Sequence, residues 1–371
     1  MTISDDNSLL MIPGPIQPEK QVLAEMGKPV RVHYGPEFTQ IYKETIAMLK
    51  PVFGTQQADV FLLVGPGTAG NDAAIGSALS SGEKIIVGVN GFFGERLKLI
   101  AENYNLQVIT VASAWGTPLD PQSFADAIRS HPDAKAIAVV HLETSTTILN
   151  PIVEIGQLAK QHGLLYIVDA VSSLGSMAFD MDGWGIDLCV SATQKCLGAL
   201  PGLAPIAVSP YAWEVIDRNP NKGHGFLLNL QTWRYYTNEW SDWHPFPITM
   251  TAHTVMALRA ALISLQTEGI ENRQERYRRL ALRLREGLRR IGLPPFTPDD
   301  LMTPVITAGC APQGVPAGKL VAYLSEEHHI KISTGLGPLR DTIFRIGHMS
   351  PILTETEIDW VIHALSKFQG V

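Results

Sequence analysis

Seven short apolar runs constrain the fold of this chain more than any other feature of its sequence. They alternate with amphipathic segments of helical length and lie at 60–64, 84–89, 106–111, 136–142, 164–171, 187–193 and 204–209. Near-continuous apolar runs are typical of strands buried on both faces, and helices between such strands imply a doubly wound sheet. The sequence therefore predicts an α/β fold with a large, mostly parallel sheet of seven strands.

The sequence changes character after Gly269. A helix at 251–267 closes the alternating block, and an Arg-rich helix, three short strand-like segments and a last helix follow, at 271–293, 303–309, 329–334, 344–347 and from about 354. We predict a large domain over 16–265 and a smaller α+β domain over 266–371 that also includes residues 1–15. The segment 219–245 is predicted to be irregular.

The Arg-rich helix carries an apolar stripe at helical spacing, formed by Tyr277, Leu280, Leu284, Leu288 and Ile291. This pattern predicts one buried face, with the arginines on the opposite, solvated face. A single basic face on an acidic protein is weak evidence for a polyanion site.

Composition and charge argue against several classes of protein. The 371 residues carry a formal net charge of −7, whereas nucleic-acid binders usually show a basic balance. The three cysteines, Cys189, Cys196 and Cys310, form no CxxC pair, so we expect neither disulfides nor a metal site. The first ten residues, MTISDDNSLL, are not typical of a targeting leader, and the least charged stretch, 188–213, is interrupted by prolines. We expect a cytoplasmic protein with neither a nucleic-acid nor a membrane partner.

A glycine-rich turn, GPGTAGNDAA at 65–74, follows the first of the seven runs. Glycines between a strand and a helix let backbone N–H groups face an anion at the helix N-terminus. Asn71 stands where a P-loop has its lysine, which disfavours nucleoside triphosphate hydrolysis. The motif alone is equally consistent with a tightly packed turn or with a cradle for a smaller phosphate monoester.

Lys195 is the one charged residue between Leu188 and Trp213. Apolar surroundings lower the pKa of an amine towards the neutral form that a nucleophile requires, although a lysine at a strand end often reaches solvent instead. Asp169 ends another apolar run and is expected at the carboxyl edge of the sheet, where ligands bind. A magnesium-binding role for Asp169 would require the absent P-loop lysine. A phosphate cradle, an acid and an amine together favour pyridoxal phosphate.

These motifs, with others along nearly the whole chain, resemble the class V aminotransferases of fold type I. The resembling segments are MIPGP (11–15), HYGPEF (33–38), VGVNGFFGER (87–96), LETSTTILNP (142–151), IVDAVSSLG (167–175), SATQKCLGALPG (191–202) and FRIGHMS (344–350). The most similar group is that of the alanine–glyoxylate and serine–pyruvate aminotransferases.

The resemblance implies a role for each matching residue. Lys195 would form an imine with pyridoxal 5'-phosphate and Asp169 would bind its pyridine nitrogen, so both are catalytic candidates. The other implied cofactor-binding residues are Phe93 and Val171 on the two ring faces, Thr144, Ala69, and the phosphate ligands Gly67, Thr68 and Gln194, with Thr249 from a second subunit. The implied substrate-binding residues are Arg345, which would grip the carboxylate, Gly14 and Thr144.

The implied activity is transfer of an amino group from alanine or serine to glyoxylate or pyruvate, in ping-pong order, by a homodimer. Phe246 replaces a tyrosine that some relatives place near the phosphate. Pyridoxamine–pyruvate aminotransferases are an alternative, but the resemblance gives them a glutamate and an extra arginine where this chain has Pro66 and Leu336.

Further alternatives stay open at this point. They are 2-aminoethylphosphonate transamination, a β-elimination, and a non-catalytic subunit of the kind labelled soluble hydrogenase small subunit. A desulfurase is disfavoured because Cys310 lies on a predicted strand.

Overall fold

A computed structural model describes residues 8–219, 225–301 and 303–368. Its strands are β1 Leu9–Leu10, β2 Asp59–Val64, β3 Lys84–Val89, β4 Gln107–Ala112, β5 Ala136–Val140, β6 Leu142–Glu143, β7 Ile148–Leu149, β8 Leu165–Asp169, β9 Leu188–Val190, β10 Leu203–Val208, β11 Ile306–Cys310, β12 Ile330–Lys331, β13 Ser333–Thr334 and β14 Ile343–Gly347. Its α-helices are α1 Lys20–Ala24, α2 Pro36–Phe53, α3 Gly67–Ala78, α4 Phe92–Asn103, α5 Pro121–Ser130, α6 Ile152–Gln161, α7 Pro210–Arg218, α8 Leu230–Glu239, α9 Ala252–Glu268, α10 Ile270–Arg290, α11 Ala317–His328 and α12 Glu355–Ser366.

The large sheet contains the seven predicted strands in the order β2-β10-β9-β8-β5-β3-β4. Strand β10 is antiparallel to both of its neighbours, while the remaining pairs are parallel. Every residue of β5, β8, β9 and β10 is buried, as expected of strands covered on both faces. The predicted mostly parallel α/β sheet is confirmed, and its carboxyl ends form one edge where loops converge.

A second, three-stranded sheet lies in the C-terminal part of the chain. It is antiparallel in the order β11-β14-β13, and a separate apolar core lies around helices α10, α11 and α12. Near the N-terminus, Leu9 of β1 pairs with Ile330 of β12, so this strand joins the C-terminal core. The domain boundary at residue 265 stays a prediction.

Two sequence interpretations need correction. The segment 219–245 contains helix α8, which Asn229 caps by accepting a hydrogen bond from the backbone of Gln231, and Trp233 anchors the helix in the core. Residues 220–224 of that segment lie outside the described part. In the Arg-rich helix α10, the apolar stripe is buried as far as Leu288 and Ile291 is half-buried, but Arg273 and Arg285 are buried as well. Arg273 tolerates burial because its Nε lies 2.6 Å from a carboxylate oxygen of Glu268.

No helix in the described ranges is both long and apolar enough to span a bilayer.

Candidate active site

A cleft with an empty volume of about 580 Å³ opens at the carboxyl edge of the large sheet. Its walls come from segments that follow β2, β3, β5, β8 and β9, the place where open α/β sheets bind ligands.

The glycine-rich turn forms one end of this cleft. Helix α3 begins at Gly67, and the preceding residue, Pro66, provides no side-chain cap for the first N–H groups. A Cβ at Gly67 would lie 2.6 Å from Cγ2 of Val171, so a side chain at this position would collide with a cleft wall. The uncapped N-terminus and the hydroxyl of Thr68 together offer hydrogen-bond donors for an anion.

Lys195 follows β9, and its half-buried side chain enters the same cleft. Its amine donates a hydrogen bond to the backbone carbonyl of Pro13. Burial lowers the pKa of the Lys195 amine from 10.5 to about 8. A Cβ on Gly14 would lie 2.6 Å from this Nζ, so the lysine packs directly against the N-terminal segment.

Asp169 ends β8 and is buried at the cleft wall. Its Oδ2 accepts a hydrogen bond of 2.7 Å from Nδ2 of Asn71, and its Oδ1 accepts one of 2.9 Å from the backbone N–H of Val171. Burial raises the pKa of the Asp169 carboxyl, while these two hydrogen bonds and the charge of Lys195 oppose that shift. These two hydrogen bonds fix the orientation of the Asp169 carboxylate.

Arg345 lies on β14 and is buried beside the cleft rather than on its lining. Its Nε donates to the carbonyl of Thr334 at 2.9 Å, and its Nη1 donates to the carbonyl of Thr144 at 3.0 Å. Burial lowers the pKa of the Arg345 guanidinium to about 10, so it keeps its charge at neutral pH. Thr144 lines the cleft, and its hydroxyl donates a 2.6 Å hydrogen bond to Oγ of Ser172. Through Thr144, Arg345 is therefore connected to the cleft wall.

The structure brings most of the remaining candidates into the cleft. Phe93, Val171 and Gln194 line it, and Oε1 of Gln194 is buried without a hydrogen-bond partner. Ala69 lies within α3 but not on the cleft lining, and Thr249 is exposed. Phe246 is buried against the rings of Phe38 and Tyr42 in the core.

Sequence reasoning missed three polar residues of the site. Asn71 is the amide partner of Asp169, and Arg96 of α4 lines the cleft next to Thr68. Glu143 is fully buried, and its Oε2 accepts from the backbone N–H groups of Phe93 at 3.1 Å and Gly94 at 3.0 Å. A charged residue directly after a buried strand, or one turn into the following helix, is the signal that could have identified Glu143 and Arg96.

This chain is similar to three known proteins along nearly its whole length. The chain is 40% identical over 358 residues to an uncharacterized aminotransferase of Methanocaldococcus jannaschii, covering 96% of this chain and 91% of that protein. It is 36% identical over 347 residues to a protein named soluble hydrogenase, small subunit, of Synechococcus sp., covering 93% of this chain and 88% of that protein. The crystal structure of an alanine–glyoxylate aminotransferase from Nostoc sp. superposes with a TM-score of 0.93 at 32% identity, covering 97% of this chain and 94% of that one.

The family model described as aminotransferase class-V matches residues 20–342, which include all the residues that line the cleft. This chain therefore belongs to the class V aminotransferases.

Proposed function

We propose that this enzyme moves the amino group of a small amino acid, alanine or serine, to glyoxylate or pyruvate in ping-pong order, with Lys195 as the amine that binds the cofactor covalently. The observation that carries the proposal is a lysine with a pKa lowered to about 8 in the same cleft as the doubly hydrogen-bonded Asp169. The similarity to an alanine–glyoxylate aminotransferase supports this choice of substrates.

Class V aminotransferases use pyridoxal 5'-phosphate, and the cleft fits that cofactor. The uncapped N-terminus of α3 and the hydroxyl of Thr68 match a phosphate, and the amide of Gln194, whose oxygen has no hydrogen-bond partner among the described residues, lines the same cleft. When bound, the cofactor supplies an aldehyde for an amine and a ring that withdraws electrons from the substrate α-carbon. Gly67, Thr68 and Gln194 would hold the phosphate, and Phe93 and Val171 would enclose the ring.

Three residues of the chain would each perform one part of the reaction. Asp169 keeps a proton on the ring nitrogen because its carboxylate is oriented by Asn71 and by the backbone of Val171. Arg345 binds the substrate carboxylate, for which a planar guanidinium held by two carbonyls is well prepared. Lys195 would move the proton at the substrate α-carbon as a general base, for which its lowered pKa suits it.

A pyridoxamine–pyruvate activity is less well supported. Pro66 leaves the phosphate loop open, and Leu336 provides no additional positive charge near the substrate. A role as a hydrogenase subunit is also less well supported, because three cysteines cannot supply the four thiolates of an iron–sulfur cluster. The unpaired cysteines are consistent with the cytoplasmic location that we propose.

Half-reactions test the proposed function directly. The holoenzyme is mixed with L-alanine, L-serine, L-aspartate or pyridoxamine in the absence of an acceptor, and its visible absorbance band is followed. We expect L-alanine or L-serine to bleach the band and glyoxylate or pyruvate to restore it. Bleaching by pyridoxamine alone, or a colourless protein that binds no cofactor, would contradict the proposal.

A further inference from the structure

The cleft has a phosphate-binding turn but no lysine in it. Asn71, at the position of a P-loop lysine, donates to Asp169 instead of facing a phosphate. Lys195 donates to the carbonyl of Pro13, and its proposed role is to bind the cofactor aldehyde rather than the phosphate. The donors at the turn itself are uncharged, so the charge that balances a dianionic phosphate has to come from another element.

Arg96 is the charged side chain placed to provide it. It lies on α4, one turn after Phe92 and Phe93, and its side chain crosses to the loop at the start of α3. Its Nη1 donates to Oγ1 of Thr68 at 3.4 Å, which is a long hydrogen bond. Across the described ranges, no carboxylate forms an ion pair with this guanidinium, although its charge opposes the raised pKa of the Asp169 carboxyl. No short-range ion pair therefore competes with a ligand for Arg96.

The rings of α4 hold Arg96 in place. The centre of its guanidinium lies 5.1 Å from the ring centroid of Phe92 and 5.0 Å from that of Phe93, which is within cation–π distance. Glu143 in turn fixes the backbone of Phe93 and Gly94. The arginine is therefore oriented by packing on one side while its donors face the phosphate loop on the other.

We propose that Arg96 is the cation that pairs with the phosphate of the cofactor, reaching the turn at Gly67 and Thr68 from the neighbouring helix. The inference rests on the proposed position of the phosphate at that turn. Arginine suits this task because it stays charged and its N–H groups form charge-assisted hydrogen bonds with phosphate oxygens, which are about twice as strong as neutral ones. On binding, Arg96 would exchange its long hydrogen bond with the neutral hydroxyl of Thr68 for a short one with the phosphate anion.

Equilibrium binding to the apoenzyme tests the proposal without measuring activity. Pyridoxal 5'-phosphate and pyridoxal, which lacks the phosphate, are titrated into the wild type, Arg96→Gln and Arg96→Lys, and absorbance and quenching of tryptophan fluorescence report binding. We expect Arg96→Gln to weaken binding of the phosphorylated ligand by 10–100-fold, about 1.4–2.7 kcal/mol. Binding of pyridoxal should change less than about threefold, or 0.7 kcal/mol, and Arg96→Lys should lose less than Arg96→Gln.

Controls separate the possible failures. Arg129→Gln removes an exposed arginine of α5, 64% exposed and paired with Asp126, and should leave both affinities unchanged. Equal losses for both ligands in Arg96→Gln would show that Arg96 acts only by supporting Phe93, and no loss for either would also overturn the proposal. A wild type that does not bind pyridoxal 5'-phosphate would instead overturn the proposed function. Arg96→Lys keeps the positive charge, so its affinities for the two ligands still test the proposal if Arg96→Gln fails to fold.

Discussion

At the scale of single residues, the pKa of the Lys195 amine sets the fraction of the protein that can react with the cofactor at a given pH. With a pKa of about 8, roughly one Lys195 amine in ten is neutral at pH 7. An ordinary lysine with a pKa of 10.5 would be neutral in fewer than about one molecule in a thousand. Burial in the cleft thus increases the neutral, reactive fraction of this amine by more than a hundredfold, or about 3 kcal/mol.

This difference predicts a pH dependence of cofactor capture. Because the neutral amine is the reactive form and its pKa is lowered, the rate at which the apoenzyme binds pyridoxal phosphate should rise with pH and level off above about pH 8. Stopped-flow absorbance between pH 6 and pH 10 measures this rate. A rate that continues to increase up to pH 10 would indicate a solvated lysine and contradict the assignment.

Two of the candidate residues that the sequence indicates, Lys195 and Asp169, line the same cleft, and both stand out in their local sequence. Lys195 is recognisable because its neighbours are uncharged, and Asp169 because it ends an apolar run. The contact between Asn71 and Asp169 joins residues 98 positions apart and depends on how the strands are arranged in the sheet. Local pattern does not contain that information, whereas the positions of Glu143 after an apolar run and of Arg96 one turn into α4 are local signals.

At the scale of elements, the N-terminus of α3 is the feature that the cofactor needs most. Gly67→Ala should weaken binding of pyridoxal phosphate by at least tenfold, about 1.4 kcal/mol. The added Cβ would lie 2.6 Å from the short, stiff side chain of Val171 and 3.3 Å from Cβ of Ala192, so the turn has to shift. The dissociation constant is measured by titrating the apoenzyme.

Gly318→Ala is a matched control for this substitution. Gly318 lies near the start of α11, and a Cβ there would meet no atom within 4 Å. The control should bind the cofactor like the wild type and be at least as stable, because alanine favours helices. Unchanged affinity in Gly67→Ala would show that the phosphate does not approach this turn.

The elements themselves were largely predictable. Continuous apolar runs mark strands buried on both faces, so all seven strands of the large sheet were identified within a few residues. Helix α8 was not predicted, because its aromatic and polar residues have no simple periodicity and tertiary packing of Trp233 stabilises it. The buried Arg273 was missed for a related reason, since its partner Glu268 belongs to the preceding helix.

At the scale of the whole molecule, one exposed surface indicates association. Val30 is 92% exposed, and the exposed rings of Tyr34, Trp243 and Trp240 form successive contacts that end at the half-buried Tyr236. Thr249 is exposed in the loop before α9. Exposed aromatic side chains that contact one another favour a protein interface. We propose that a second copy covers it and that Thr249 contributes to the cleft of that copy.

The proposed dimer predicts a mass of about 81 kDa, twice the 40.5 kDa of one chain, in sedimentation equilibrium. Trp243→Glu should shift the species towards the monomer and lower cofactor affinity, because the site loses the partner's threonine. Trp360→Glu, which adds the same charge at a tryptophan exposed to 44% on α12, is the control and should stay dimeric. A monomeric wild type with full activity would exclude a shared site.

The central claim is that the amine of Lys195 is the group that joins the cofactor to this chain. The holoenzyme is reduced with borohydride, digested, and searched by mass spectrometry for the peptide that carries a phosphopyridoxyl group. We predict modification of Lys195, and none in Lys195→Ala treated in the same way. Modification of a different lysine in the wild type, or a wild type that binds the cofactor but yields no modified peptide, would contradict the account.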